Sequence, residues 1–375
     1  ISNLLVNSMK KNRLIPWMLG GALVFGLTAH AQKSYEGRNY QELPWKVVAT
    51  QMPDEWYGTD EAKAAADNVL VYQKWSGGWG KNTPMHKTLR PADRSALIED
   101  KRSIHNATFD NDATTTELKF LAKVYNKTGE DRYKEAFEDG LIFIFRSQYD
   151  NGGWPQVWPL RPGYYSHITI NDDATYNNLV LLQRIVKGDP EFAFLDKFFV
   201  ERSRKVMDRG VDCLLKTQIV KGGKPTVWCA QHDEYNFMPS MGRTFELPSF
   251  SGSESVNVVL FLMSLENPSP EVIRAVECAV EWFESHKLEG IRVATVTGPD
   301  GRRDRQVVQD PNAPALWGRF YDLETEKPFF CDRDGVKKNS LAEVGYERRN
   351  GYGWYTSGPQ KVLDAYPAWK ARLVR

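Results

Sequence analysis

Two short segments carry more acid than a helix start needs. One runs Thr108-Phe109-Asp110-Asn111-Asp112-Ala113-Thr114, and the other Thr169-Ile170-Asn171-Asp172-Asp173-Ala174-Thr175. Each precedes apolar residues at three- and four-residue spacing, Leu118, Phe120, Leu121 and Val124 after the first and Leu179, Leu182 and Ile185 after the second. Thr, Asp and Asn at such a position cap free N–H groups, each stabilising by about 1 kcal/mol. One carboxylate suffices for that. Here Asp110 comes with Asp112, and Asp172 stands beside Asp173, so one acid in each copy is left over. Surplus carboxylates gathered on one face could bind a divalent cation through oxygen, as Ca²⁺ prefers. Caps alone, and caps plus function, both stay open on these residues.

A second polar stretch lies between two apolar helical patterns: Trp228-Cys229-Ala230-Gln231-His232-Asp233, then Gly242-Arg243-Thr244-Phe245-Glu246-Leu247-Pro248-Ser249. The plain reading is a solvated loop with Arg243 paired to Glu246. Other chemistries lack their signatures. His232-Asp233-Glu234 does not have the spacing of a zinc protease, and no Gly-x-Ser-x-Gly elbow occurs. Gly77-Gly78-Trp79-Gly80-Lys81 lacks the first glycine of a phosphate loop and puts Asn82 where Ser or Thr would bind Mg²⁺. The histidines read as surface or core residues.

The elements that position these residues repeat. Gln73-Lys74-Trp75-Ser76-Gly77-Gly78-Trp79 returns as Gln148-Tyr149-Asp150-Asn151-Gly152-Gly153-Trp154, and more loosely from Gln218 through Gly222-Gly223 to Trp228. The tryptophans fall about 75 residues apart, room for two helices per unit. A degenerate fourth copy is expected at Ser285 to Gly290. A tryptophan beside a turn plugs a core more often than it stacks a sugar. Before the turns, apolar residues such as Ala136, Leu141, Ile144 and Phe145, or Val206, Val211, Leu214 and Leu215, mark amphipathic helices ending at the glycines. The acid-rich openings start a second helix class, with a third, altered opening at Pro248 to Glu254 before Val258, Leu262 and Leu265. Alternating classes predict a ring of antiparallel helical hairpins whose helix ends gather on one face. The expected fold is mainly α, with the ring over about residues 55–290. Residues 291–375 form an irregular, partly β lobe, with a strand over Arg292 to Thr297 and a last helix over Gln360 to Val374.

The start of the chain reads as a secretory signal peptide: Lys10, Lys11 and Arg13 precede an apolar run from Leu14 to Leu27, which closes on Ala29-His30-Ala31. Ile1 to Ser8, upstream of Met9, are expected to carry no fold, and residues 32–375 to form one catalytic domain. A secreted or periplasmic monomer follows, with no membrane partner, because the run is short and interrupted by Pro16 and Gly20-Gly21. Removing the three leader cations from a formal charge of +1 leaves −2, without the basic excess of a nucleic-acid binder. Cys213, Cys229, Cys278 and Cys331 contain no C-x-x-C pair and are expected to be buried free thiols.

Taken together, the Gly-Gly-Trp turns, Asp110-Asn111-Asp112-Ala113-Thr114, Gly153-Trp154-Pro155-Gln156, Asn171-Asp172-Asp173-Ala174, Trp228-Cys229-Ala230-Gln231-His232 and Arg243 through Ser249 resemble the family 10 polysaccharide lyases, which are pectate lyases. The resemblance implies an incomplete α/α toroid with a cleft, and Ca²⁺ bridging carboxylates to a polygalacturonate or pectin substrate. It further implies cleavage of the α-1,4-linked chain by anti β-elimination. Arg243 matches the base, and Asp110 and Asp172 match acids around the metal, with Asp112 and Asp173 as neighbours. Arg319 and Arg333 match arginines that hold uronate carboxylates, with Arg348 and Tyr352 as extra contacts.

Such chemistry suits these residue types. Removing a proton beside a carboxylate requires its charge to be neutralised, which Ca²⁺ and bidentate arginines do. An arginine is ordinarily never a base, its pKa lying above about 12. It could act as one only where surrounding cations disfavour its charge and no acid pairs with it. Glu246 is therefore expected to point away from Arg243, and activity to peak at alkaline pH. One rival is an inverting glycoside hydrolase on a helical toroid, with Asp110 and Asp173 as its two acids, which leaves the arginines without a task. Another is a carbohydrate-binding module with tryptophan platforms.

Overall fold

Eleven helices carry most of the regular structure among the described residues: α1 (Trp45–Thr50), α2 (Asp60–Tyr72), α3 (Pro91–Asp100), α4 (Thr115–Thr128), α5 (Asp131–Ser147), α6 (Ala174–Val186), α7 (Lys197–Thr217), α8 (Ser255–Met263), α9 (Pro270–Ser285), α10 (Tyr346–Gly351) and α11 (Pro359–Arg372). The computed structural model describes residues 35–103, 106–298 and 300–373. The leader expected over residues 1–31, and Val374, lie outside the described residues. Helix starts follow local chemistry. Thr59, Asp196 and Ser269 accept from the N–H groups of Ala62, Phe199 and Val272, and Pro270 sits in the first turn of α9. Gly129 ends α4 in the left-handed conformation.

The helices pack in two layers. One holds α4, α6 and α8, each against the next; the other holds α2, α5, α7 and α9, again each against the next. The pairs α4–α5, α6–α7 and α8–α9 join the layers as antiparallel hairpins, and α11 returns to pack on α8 and α9. The two expected helix classes are these two layers. No helix of the described residues is long and apolar enough to cross a membrane.

The repeated turns are the joints of this arrangement. Trp79, Trp154 and Trp228 are fully buried, and their indole N–H groups donate to the carbonyls of Val69, Ile144 and Leu214 at 2.8, 2.9 and 2.7 Å. Each is a core plug whose burial stabilises by about 2–3 kcal/mol, not a sugar platform. Gln73, Gln148 and Gln218 each donate both to their own turn and to the next outer helix, at Ala136, Val206 and Ala275. Gly77 and Gly152 have φ of 98° and 93°, and a side chain there would collide with the backbone oxygens of Asp139 and Arg209.

The fourth rung differs from expectation. Trp317 makes it, donating to the Phe283 carbonyl at 2.8 Å, and Ser285 to Gly290 only lead toward it. Between them a hairpin of β1 (Ile291–Thr297) and β2 (Arg303–Gln309) is looped out, so the sequence interval no longer shows the repeat.

After the hairpin the chain forms an irregular lobe with short two-residue pairings and its own core of Phe320, Phe329, Phe330, Leu341, Tyr352 and Trp354. Ala230 and Phe245 belong to this core. The polar stretch around Arg243 is therefore pinned by Phe245, with Leu247 packed against the same core, and does not lie free in solvent. All four cysteines are buried and free.

Candidate active site

Both acid-rich openings fold into single turns, Asp110–Asp112 and Asn171–Asp173, with left-handed backbone at Asn111, Asp112, Asp172 and Asp173 (φ 52°, 62°, 49° and 60°). Asn and Asp tolerate that conformation better than other side chains. Thr114 and Thr175 lock the turns by donating to the carbonyls of Thr108 and Thr169 at 2.9 and 2.7 Å. Capping by the aspartates does not occur at either helix start.

With Thr114 matched to Thr175, Asp112 matches Asp173 and Asn111 matches Asp172. The matched pair do one job. Asp112 accepts from Asn177 at 2.7 Å and Asp173 from Asn257 at 2.8 Å, each tying its turn to the next inner helix. Lys46 also pairs with Asp112.

The unmatched acids, Asp110 and Asp172, meet each other. Their carboxyls are in hydrogen-bonding contact, and burial together with the Asp110 charge pushes the Asp172 pKa up to about 6. Asp110 is buried, with Oδ2 paired to Lys81 and Oδ1 without a donor. Two carboxylates in contact repel unless a proton or a cation lies between them. An all-oxygen donor set with an unsatisfied buried atom fits a hard divalent cation such as Ca²⁺.

Beside this pair the arginines collect around two aromatic rings. The guanidinium carbons of Arg243, Arg333 and Arg348 lie 4.9, 5.7 and 4.8 Å from the centre of the Phe245 ring. Those of Arg243, Arg319 and Arg348 lie 5.8, 4.6 and 5.8 Å from the centre of Tyr352. The two rings meet edge to face at 5.2 Å. Residues up to 109 positions apart in sequence, Arg243 and Tyr352 among them, thus share one site, and the charges of Arg243 and Arg319 reach Asp172.

The Arg243 environment corrects one expectation. Glu246 does not point away: Arg243 donates from Nε to Oε2 at 3.0 Å and from Nη2 to Oε1 at 2.5 Å. The reason is local, since the Arg243 backbone N–H also donates to Oε2 at 3.0 Å and closes a tight three-residue loop. Tyr352 donates to Oε1 at 2.7 Å. Glu246 thereby raises the Arg243 pKa above its ordinary value, and Arg243 lowers that of the buried Glu246 despite its desolvation.

Arg319 is mostly buried, pairing with Glu254 and donating to Asn171 at 3.3 Å. Burial pushes Glu254 up to about 7, opposed by Arg319 and reinforced by the Asp172 and Asp173 charges. Sequence reasoning missed Glu254 as a site residue, although it closes the third, altered opening. Arg333 and Arg348 both grip Glu347, which they hold down to about 2. A separate group, His167, Asp233 and Glu234, places metal-capable atoms within 4.8 Å of one another, but His167 Nδ1 is already engaged with Glu234 at 2.9 Å.

The chain matches the model of the pectic acid lyases over residues 73–363, a span that takes in all the turns and acids above. It is similar to the family 10 polysaccharide lyase from Cellvibrio cellulosa, at 34% identity and a TM-score of 0.70, over 83% of this chain and 94% of that one. A mutant of that lyase in complex with trigalacturonic acid is likewise 34% identical, with a TM-score of 0.70, over 82% and 93%. No curated protein matches. A mainly helical frame with an acid pair beside clustered arginines, and these likenesses, define a polysaccharide lyase. The chain belongs to the pectic acid lyase family.

Proposed function

We propose that this chain is a calcium-dependent pectate lyase that cleaves α-1,4-linked polygalacturonate by anti β-elimination, and that it acts in the periplasm or outside the cell. The observation that carries the reading is the contact of Asp110 with Asp172 beside the charges of Arg243 and Arg319. Family membership and the trigalacturonic acid bound by the similar Cellvibrio lyase support the substrate. The leader-like residues 10–31 support the location.

Elimination breaks the C5–H bond and the C4–O4 bond and forms a C4–C5 double bond. The electron pair ends on the leaving glycosidic oxygen, which takes a proton from solvent. The uronate carboxylate beside C5 becomes an electron sink only when its charge is neutralised, and bound Ca²⁺ supplies part of that neutralisation. Asp110 and Asp172 would hold the cation, with Asp173 adjoining. Arg319 and Arg333 hold uronate carboxylates, with Arg348 and Tyr352 as further contacts, since arginine binds carboxylates bidentately. Arg243 takes the C5 proton in its neutral form, and the pairing with Glu246, which the base role was expected to exclude, works against this step. Glu246 engages its Nε and Nη2 and leaves Nη1 for this step. Because Glu246 favours the charged guanidinium, the neutral form is scarce and the rate climbs toward high pH.

The test is incubation with polygalacturonate at alkaline pH, with and without a calcium chelator, reading the ultraviolet absorbance of unsaturated uronide ends. A calcium-dependent rise that Arg243→Ala abolishes supports the reading. New reducing ends without that absorbance would sink it.

A further inference from the structure

One side-chain stack beside the reaction centre has no role in the chemistry above. The rings of Tyr164 and Tyr165 lie 4.1 Å apart, and the guanidinium carbon of Arg161 sits 3.6 Å from the centre of the Tyr165 ring. Main-chain bonds fix the stack: the N–H of Gln156 donates to the Tyr165 carbonyl at 3.0 Å. Tyr164 is the inner end, because its hydroxyl feels the charges of Arg243 and Glu246. Arg161 is the outer end. All three side chains line a cavity of about 440 Å³ that Asp110 and Lys81 also line. Gln156 lines it too, and its buried Oε1 has no donor.

Arg161 differs in state from the other arginines of the site. Arg243 pairs with Glu246, Arg319 with Glu254, and Arg333 and Arg348 share Glu347. Among the described residues no acid pairs with Arg161; its one described contact is the Tyr165 face. Stacking on an aromatic face orders a guanidinium while leaving its edge, with the hydrogen-bond donors, open. An ordered, unpaired guanidinium edge in a cleft is a receptor for a carboxylate, and a polyuronate presents one on every residue.

Resting on the lyase reading above, we infer that Arg161, stacked on Tyr165, forms a distal subsite that binds the carboxylate of a galacturonate residue remote from the bond being cleaved. Because no acid among the described residues holds Arg161, a longer chain gains binding there without displacing an internal ion pair. Methyl esterification of that residue removes the charge and with it the contact.

The test compares wild type, Arg161→Ala and Arg161→Lys on purified oligogalacturonates of increasing length, from the shortest one cleaved to the hexamer, by the absorbance of unsaturated ends. For the wild type kcat/KM rises with length. Arg161→Ala flattens that rise through KM, with a loss of roughly 10- to 100-fold on the hexamer, the range of one charge-assisted contact, and no change on the shortest substrate. Arg161→Lys recovers part of the loss. Equal activity of Arg161→Ala and wild type at every length overturns the subsite, and so does a loss of the same size on every length. A wild type inert at all lengths overturns the lyase reading itself and the subsite with it.

Discussion

Glu246 grips Arg243 at two points, Nε to Oε2 and Nη2 to Oε1, while Tyr352 of the irregular lobe donates to the same carboxylate. The residue assigned to proton removal is thus held in its charged form by a buried acid. Glu246→Gln keeps an oxygen acceptor but removes the negative charge, which lowers the Arg243 pKa. The basic limb of the kcat profile is then expected to move to lower pH by one unit or more. A profile that keeps its position while kcat falls would make Glu246 a purely geometric support.

Asp110 and Asp172 repel in the free protein, and a cation between them relieves that. Wild type should therefore melt higher with Ca²⁺, by about 2.7 kcal/mol of added stability at one hundred times Kd. Asp172→Asn should lose this gain and melt at one temperature with or without Ca²⁺, as scanning calorimetry would read. Retention of the full gain would place the ion elsewhere.

Glu117, at the start of α4, accepts from the Trp45 indole at 2.6 Å but has its other oxygen buried without a donor. Burial raises its pKa from 4.5 to about 7. A raised carboxyl contributes stability that is complete below the unfolded value and lost as pH climbs through the folded value. Between about pH 4.5 and 7 the folded state should lose on the order of 3 kcal/mol from this one group. Glu117→Gln keeps the acceptor for Trp45 and should abolish that slope in urea titrations across the range. An unchanged slope would assign the effect to other groups.

Gly152 lies at φ 93° with no room for a side chain against the Arg209 oxygen. Gly152→Ala should cost about 2 kcal/mol or more through strain and lost packing. Trp154→Ala should cost about 3–5 kcal/mol, whereas Trp75→Ala, at a side chain 72% exposed, should fall within about 0.5 kcal/mol of wild type. Denaturant midpoints distinguish the three.

Much of this molecule follows from local patterns. Spacing of apolar residues predicted both helix layers, and the Gln–Gly–Gly–Trp turns marked the joints, because glycine at positive φ and an indole bonded to a carbonyl of the preceding helix are needs of the segment itself, whereas the glutamine's second bond, to the next outer helix, is made only by packing. The family, too, was legible in the combined motifs. What the sequence alone could not settle was which groups meet. The repeat aligned Asp112 with Asp173, and these do share a task, yet the acids in contact are Asp110 and Asp172, one step out of register, since the contact runs between neighbouring turns of the layered frame. Trp317 was hidden as the fourth rung by the β1–β2 hairpin looped out before it. Glu246 was expected to turn away from Arg243 on grounds of chemistry. A three-residue loop, closed by the Arg243 N–H and held by Tyr352 from 106 residues downstream, decided otherwise. Periodicity reports which face of a segment is buried; only packing determines what that face is buried against.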